Sequence, residues 1–169
     1  MSITIWLALV GCFIAGLYDL RSRRIPNVLT GSLAAAALVV HAFAGLQSLG
    51  ISLLVMVALT LVCALVYSRG GIGGGDVKLA VAVSGILSYP LFLPFLLYSA
   101  LGGGLLAIFF LIFKGETRAA YSRVMLLAAG ETRSIYTQRT TLPYALAFAI
   151  GAIAVALSQS VAPFLRILS

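Results

Sequence analysis

Charge is missing from most of this chain, and that absence limits what the chain can fold into. No Asp, Glu, Lys or Arg occurs from Met1 to Tyr18, from Ile25 to Ser68, from Leu79 to Phe113, or from Thr140 to Leu165. A soluble domain is about half apolar and a quarter charged. Here 62% of the 169 residues are hydrophobic and 9% are charged. Long apolar runs of this kind read as membrane spans, so the expected fold class is all-α, a polytopic helical membrane protein. Removing the runs leaves no room for a soluble domain, and residues 1–169 are expected to form one integral-membrane domain. The formal net charge of +7 does not make the chain a nucleic-acid binder, because its basic residues lie in short loops rather than on a folded basic face.

In order, the spans are expected at Ile3–Tyr18, Val28–Leu46, about Ile51–Tyr67, Val77–Leu87, a fifth run ending near Phe113, and Leu142–Leu157. Gln47-Ser48-Leu49-Gly50 is read as the hairpin between the second and third. Tyr89-Pro90 and Pro94 punctuate the return from the fourth to the fifth, and Gly102-Gly103-Gly104 suits close helix packing or a kink. Lys114–Thr140 is the long polar segment, compatible with an amphipathic helix on the membrane surface. Val161–Ser169 is an apolar tail. The first run lacks a basic leader region and ends in Asp19 rather than at a small-residue cleavage site, so it is expected to be retained as a helix. Ten of the eleven Lys and Arg residues fall on one side of this arrangement, with Arg166 alone opposite. The excess of cations marks the cytoplasmic side. Six spans then place both termini outside the cytoplasm, and Asp19 and Asp76 share the cytoplasmic face.

Those two residues are the only aspartates. Each stands beside basic residues and a helix break: Asp19 before Arg21-Ser22-Arg23-Arg24-Ile25-Pro26-Asn27, Asp76 after a glycine-rich stretch from Gly70 to Gly75 and before Lys78. A carboxylate at a membrane edge is costly and points to function. Two such groups brought together share a proton, so that one can activate water while the other polarises a carbonyl. Each also has a plainer reading. Asp76 can cap a helix start, and Asp19 can pair with a neighbouring arginine. Gly73, Gly74 and Gly75 are expected to supply positive φ and close backbone approach for an extended substrate. His41, the sole histidine, is read as an interfacial or hydrogen-bonded residue near the opposite face. Cys12 and Cys63 lie inside apolar runs and read as small buried hydrophobes. One histidine and two such cysteines leave no ligand set for zinc, so neither metal nor cofactor is expected.

Gly73-Gly74-Gly75-Asp76-Val77-Lys78 resembles the GxGD motif of the type IV prepilin peptidases, and Asp19 with Ile25-Pro26-Asn27 resembles their first aspartate block. Leu142-Pro143-Tyr144 followed by Gly151 is similar to their C-terminal span. The resemblance implies an aspartic endopeptidase of the bacterial inner membrane with Asp19 and Asp76 as its catalytic pair. Its substrates would be prepilins or pseudopilins, met within the lipid bilayer. The small size resembles the CpaA/TadV branch that serves Flp-type Tad pili. Larger members carry a cysteine-containing domain between the first two spans, linked to N-methylation, and no such methyltransferase domain fits between Asp19 and Asn27. Glu116 and Glu131, the remaining acids, are expected to hold a basic leader weakly. A transporter or channel subunit using the aspartates as ion sites is the alternative from another class, and a catalytically inactive assembly protein is a third.

Overall fold

The computed structural model describes residues 2–22, 25–68, 73–114 and 144–168, all but a few of them in five helices. These are α1 (Ile3–Ser22), α2 (Asn27–Ala44), α3 (Leu46–Ser68), α4 (Gly74–Lys114) and α5 (Tyr144–Leu168). The polar segment with Glu116 and Glu131 lies outside the described residues. Four helical stretches are long and apolar enough to cross a membrane: Ile3–Ser22, Asn27–Ala44, Leu46–Ser68 and Gly74–Phe109; α5 contributes a shorter apolar stretch, Ala145–Ser160. The apolar tail expected after residue 160 is helical, and α5 runs through it to Leu168.

The helix boundaries follow from a few residues. Pro26 has φ −61° and ψ 134° and stands just before α2. Its carbonyl accepts from the N–H groups of Leu29 and Thr30 and so begins the helix, and its missing N–H would have had no intrahelical acceptor there. The turn between α2 and α3 is Gly45 at φ 117°, where an L side chain would be strained. This corrects the hairpin expected at Gln47–Gly50. Those residues form the first turns of α3, with Leu49 N–H donating to the Gly45 carbonyl at 3.0 Å.

The expected fourth and fifth spans are the two halves of α4, separated by non-helical backbone at Ser88 and Tyr89. Pro90 has no N–H to offer the carbonyl four residues earlier, that of Ile86. The break also deprives the Gly85 carbonyl of its helical donor. Neighbouring helices replace both. His41 Nε2 lies 3.1 Å from the Ile86 carbonyl oxygen, and Ser52 Oγ donates to Gly85 at 2.9 Å. A carbonyl can only accept, so Nε2 carries the imidazole hydrogen. Nδ1 then accepts from Ser48 Oγ at 2.7 Å. His41 is therefore the hydrogen-bonded residue that its position suggested, and it supplies a donor to a carbonyl that the break in α4 leaves without one.

Small residues set the packing. On α1, Ile5, Ala8, Cys12, Ala15 and Asp19 recur three and four residues apart and are all buried. Asp19 thus continues the stripe by which α1 joins the bundle. The first half of α4 is buried on nearly every side from Leu79 to Ser88, which makes it the central helix. Its second half meets α5 across small residues. A Cβ at Gly151 would collide with Ser99 Oγ and lie 2.9 Å from the Phe95 carbonyl oxygen. At Gly103 it would lie 3.2 Å from Ala147 Cβ, and at Gly102 3.0 Å from the Ile150 side chain. Two of the three consecutive glycines therefore serve close packing, as small-residue crossings do in membranes. By contrast α3 buries little beyond Ser52 and Val55 and exposes Leu54, Val57, Leu61 and Leu65, which suits contact with lipid tails.

Removing either replacement donor should loosen the bundle without touching the aspartates. His41→Ala and Ser52→Ala are each expected to lower stability by about 1 kcal/mol, the usual size of a side-chain hydrogen bond between membrane helices. Thermal unfolding in detergent checks this. Thr60→Ala is the comparison, since Thr60 bonds only its own helix at Met56, and equal melting of all three variants would contradict the capping role.

Candidate active site

The end of the bundle opposite His41 gathers five helix termini. Asp19 sits in the penultimate turn of α1 and is buried to 9% exposure. A carboxylate near the C-terminal end of a helix faces an unfavourable dipole. Compensation comes from another helix: the backbone N–H of Ala145, the second residue of α5, donates to Asp19 Oδ2 at 3.3 Å. Gly16, about one turn before Asp19, faces the start of α5. A Cβ there would touch Leu146 Cδ2 at 3.5 Å and the Ala145 carbonyl oxygen at 4.0 Å.

Asp76 belongs to the first turn of α4 and is half-buried. The Gly73 carbonyl accepts from Val77 N–H at 3.1 Å, which makes Gly73 the residue that starts the helix. Asp76 is therefore not the capping residue itself; it sits three positions later, where the helix dipole favours an acid. Its side chain folds back over Gly73, where an added Cβ would lie 2.8 Å from Oδ2. The Asp19 carboxylate is close enough to act on Asp76 electrostatically. Two helices distant in sequence thus bring the only two aspartates into one site.

The remaining candidates surround this pair. Lys78 Nζ donates to Asn27 Oδ1 at 2.9 Å, tying the first turn of α4 to the first residue of α2. A Cβ at Gly75 would lie 3.4 Å from Ile25 Cβ, beside Pro26, and one at Gly74 would lie 3.5 Å from the Tyr67 ring at the end of α3. The positive φ expected of these glycines is not found: among the described glycines Gly45 alone has it. Gly73 makes room for the Asp76 carboxylate by lacking a Cβ, whereas a Cβ at Gly74 or Gly75 would be in ordinary contact with Tyr67 or Ile25. The structure thus groups Asp19, Asp76, Gly73, Gly74, Gly75, Lys78, Pro26 and Asn27 at one end. His41 is at the other, and Glu116 and Glu131 are outside the described residues. Among the described residues no three His, Cys, Asp or Glu side chains are grouped as metal ligands would be. Ala145 is the participant that sequence reasoning missed, because an alanine contributes nothing to a site but its backbone.

The fold-back of Asp76 over Gly73 gives a sharp test. Gly73→Ala forces the carboxylate to move and should lower turnover of a leader-bearing substrate about tenfold or more, since small misplacements of reacting groups are costly. Gly104→Ala, where nothing lies within 4 Å, should turn over like the parent. Equal rates for the two variants would show that Gly73 does not shape the site.

The family model of the type IV leader peptidases matches residues 6–108, more than half of the chain and all of the stretch from Asp19 to Lys78. No curated protein and no solved structure matches the chain. With both aspartates inside the matched region and together in space, the chain belongs to the type IV leader peptidase family, a family of peptidases.

Proposed function

We propose that this protein is an aspartic endopeptidase that removes the leader of Flp-type or other type IV prepilins, or of pseudopilins, at the cytoplasmic face of the bacterial inner membrane. The observation that carries the reading is the convergence of Asp19 and Asp76, in a chain of this family, at one end of a membrane bundle. One carboxylate takes a proton from water as the water oxygen attacks the scissile carbonyl carbon. The other, protonated, polarises the carbonyl oxygen. Collapse of the tetrahedral intermediate breaks the C–N bond, and the departing amine receives the proton first taken from water.

The two halves of α4, counted as separate crossings, bring the total to six with α5 and place both termini outside the cytoplasm. The cationic loops and both aspartates then face the cytoplasm, where a leader is presented. Residues 23–26 are all that separate α1 from α2. That is too little for the cysteine-containing domain of larger members, so cleavage without N-methylation is the activity proposed, in the manner of the small CpaA/TadV-like branch. A transporter reading would leave the family match unexplained.

Asp19→Asn and Asp76→Asn should each abolish leader cleavage while the protein still inserts and folds, with losses on the order of 100-fold or more. Purified variants with an Flp-like prepilin in detergent, followed by the mobility shift on leader removal, make the measurement. Either variant keeping more than about a tenth of parental turnover would remove that residue from the pair.

A further inference from the structure

We propose that the backbone N–H of Ala145 is a positioning group of the catalytic site, one that sets the orientation of the Asp19 carboxyl. The inference rests on the peptidase reading and adds the last helix to its machinery. N–H groups in the first turn of a helix have no carbonyl of their own helix to bond. That of Ala145 must find an acceptor, and the residue is fully buried, so water does not serve. The acceptor is Asp19 Oδ2, 126 positions earlier in the chain. An N–H can only donate, so Oδ2 is held as an acceptor, and the proton that the two aspartates share is kept off that atom. That bond restricts the rotation of the Asp19 carboxyl.

The contact is built in from both sides. The start of α5 packs against α1 at Gly16, and Gly151 seats α5 on the backbone of α4 at Phe95 and Ser99. Helix α4 also carries Asp76. The position of Ala145 relative to Asp19 is thus set by the same element that brings the second aspartate.

Two variants delete the N–H. Ala145→Pro does so with natural residues and in a helical turn that tolerates proline. Replacing Ala145 by its α-hydroxy analogue exchanges the amide for an ester and leaves the side chain unchanged. If Ala145→Pro does not fold, the ester variant decides. The same ester exchange at Ala149, one turn further on, is the control for weakening of the helix. Steady-state cleavage of an Flp-like prepilin should show kcat lowered about 10- to 100-fold at Ala145, the usual effect of a hydrogen bond to a charged group. KM should stay within about twofold, because the group touches no substrate. The melting temperature should equal that of the Ala149 ester. A kcat at Ala145 equal to that control, or a loss of kcat accompanied by a melting temperature well below that of the Ala149 ester, would overturn the inference. If Asp19→Asn and Asp76→Asn are themselves active, it is the peptidase reading that fails; if they are inactive and the Ala145 variants are not, only this inference falls.

Discussion

The arrangement depends on placing a carboxylate inside a bundle whose other surroundings are hydrocarbon. An ionisable group in that position is tolerated only with partners provided by the protein. Asp19 lies on the buried stripe of α1, near the end of the helix where the dipole opposes its charge. The start of α5 supplies a donor, and Asp76 comes in on the start of α4. Much of the remaining structure can be understood as the means by which two helix starts reach one helix end.

Glycine and alanine are those means. In lipid there is little hydrophobic gain from joining apolar helices, so close approach of backbones must hold them. Gly11 admits the Leu33 side chain of α2 to α1, Gly151 sets α5 against α4, and Gly73 admits the Asp76 carboxylate over the start of α4. At the far end the demand is different. There the chain breaks α4 at Ser88 and Tyr89, and His41 and Ser52 repair the carbonyls that the break leaves bare. One end of the molecule is therefore polar for chemistry, and the other is polar only as far as backbone hydrogen bonds require.

The pairing of Asp19 with Asp76 was legible because the chain has no other aspartate and because the cations assign both to one side. The break near Tyr89-Pro90 was legible for a local reason, the chemistry of proline. The turn between α2 and α3 was misplaced. Gln47, Ser48 and Gly50 look like turn residues, whereas Gly45 sits among Ala44 and Leu46 and announces nothing until its φ is known. The glycines before Asp76 were expected to supply both positive φ and close approach, and Gly73 supplies close approach, to the Asp76 carboxylate, without positive φ. Ala145 could not have been found at all. Its contribution is a backbone N–H, which every residue but proline possesses, and only the packing of α5 selects this one.

The central claim is that Asp19 and Asp76 lie close together at one end of the helix bundle. Cysteine cross-linking tests it directly. In a background with Cys12→Ser and Cys63→Ser, the pair Asp19→Cys and Asp76→Cys is treated in native membranes with a short bifunctional thiol reagent, and linked peptides are read by mass spectrometry. The account predicts rapid linkage of this pair and none when His41→Cys replaces Asp19→Cys. Failure of the 19–76 pair to link, with both thiols shown to be reactive, would contradict it.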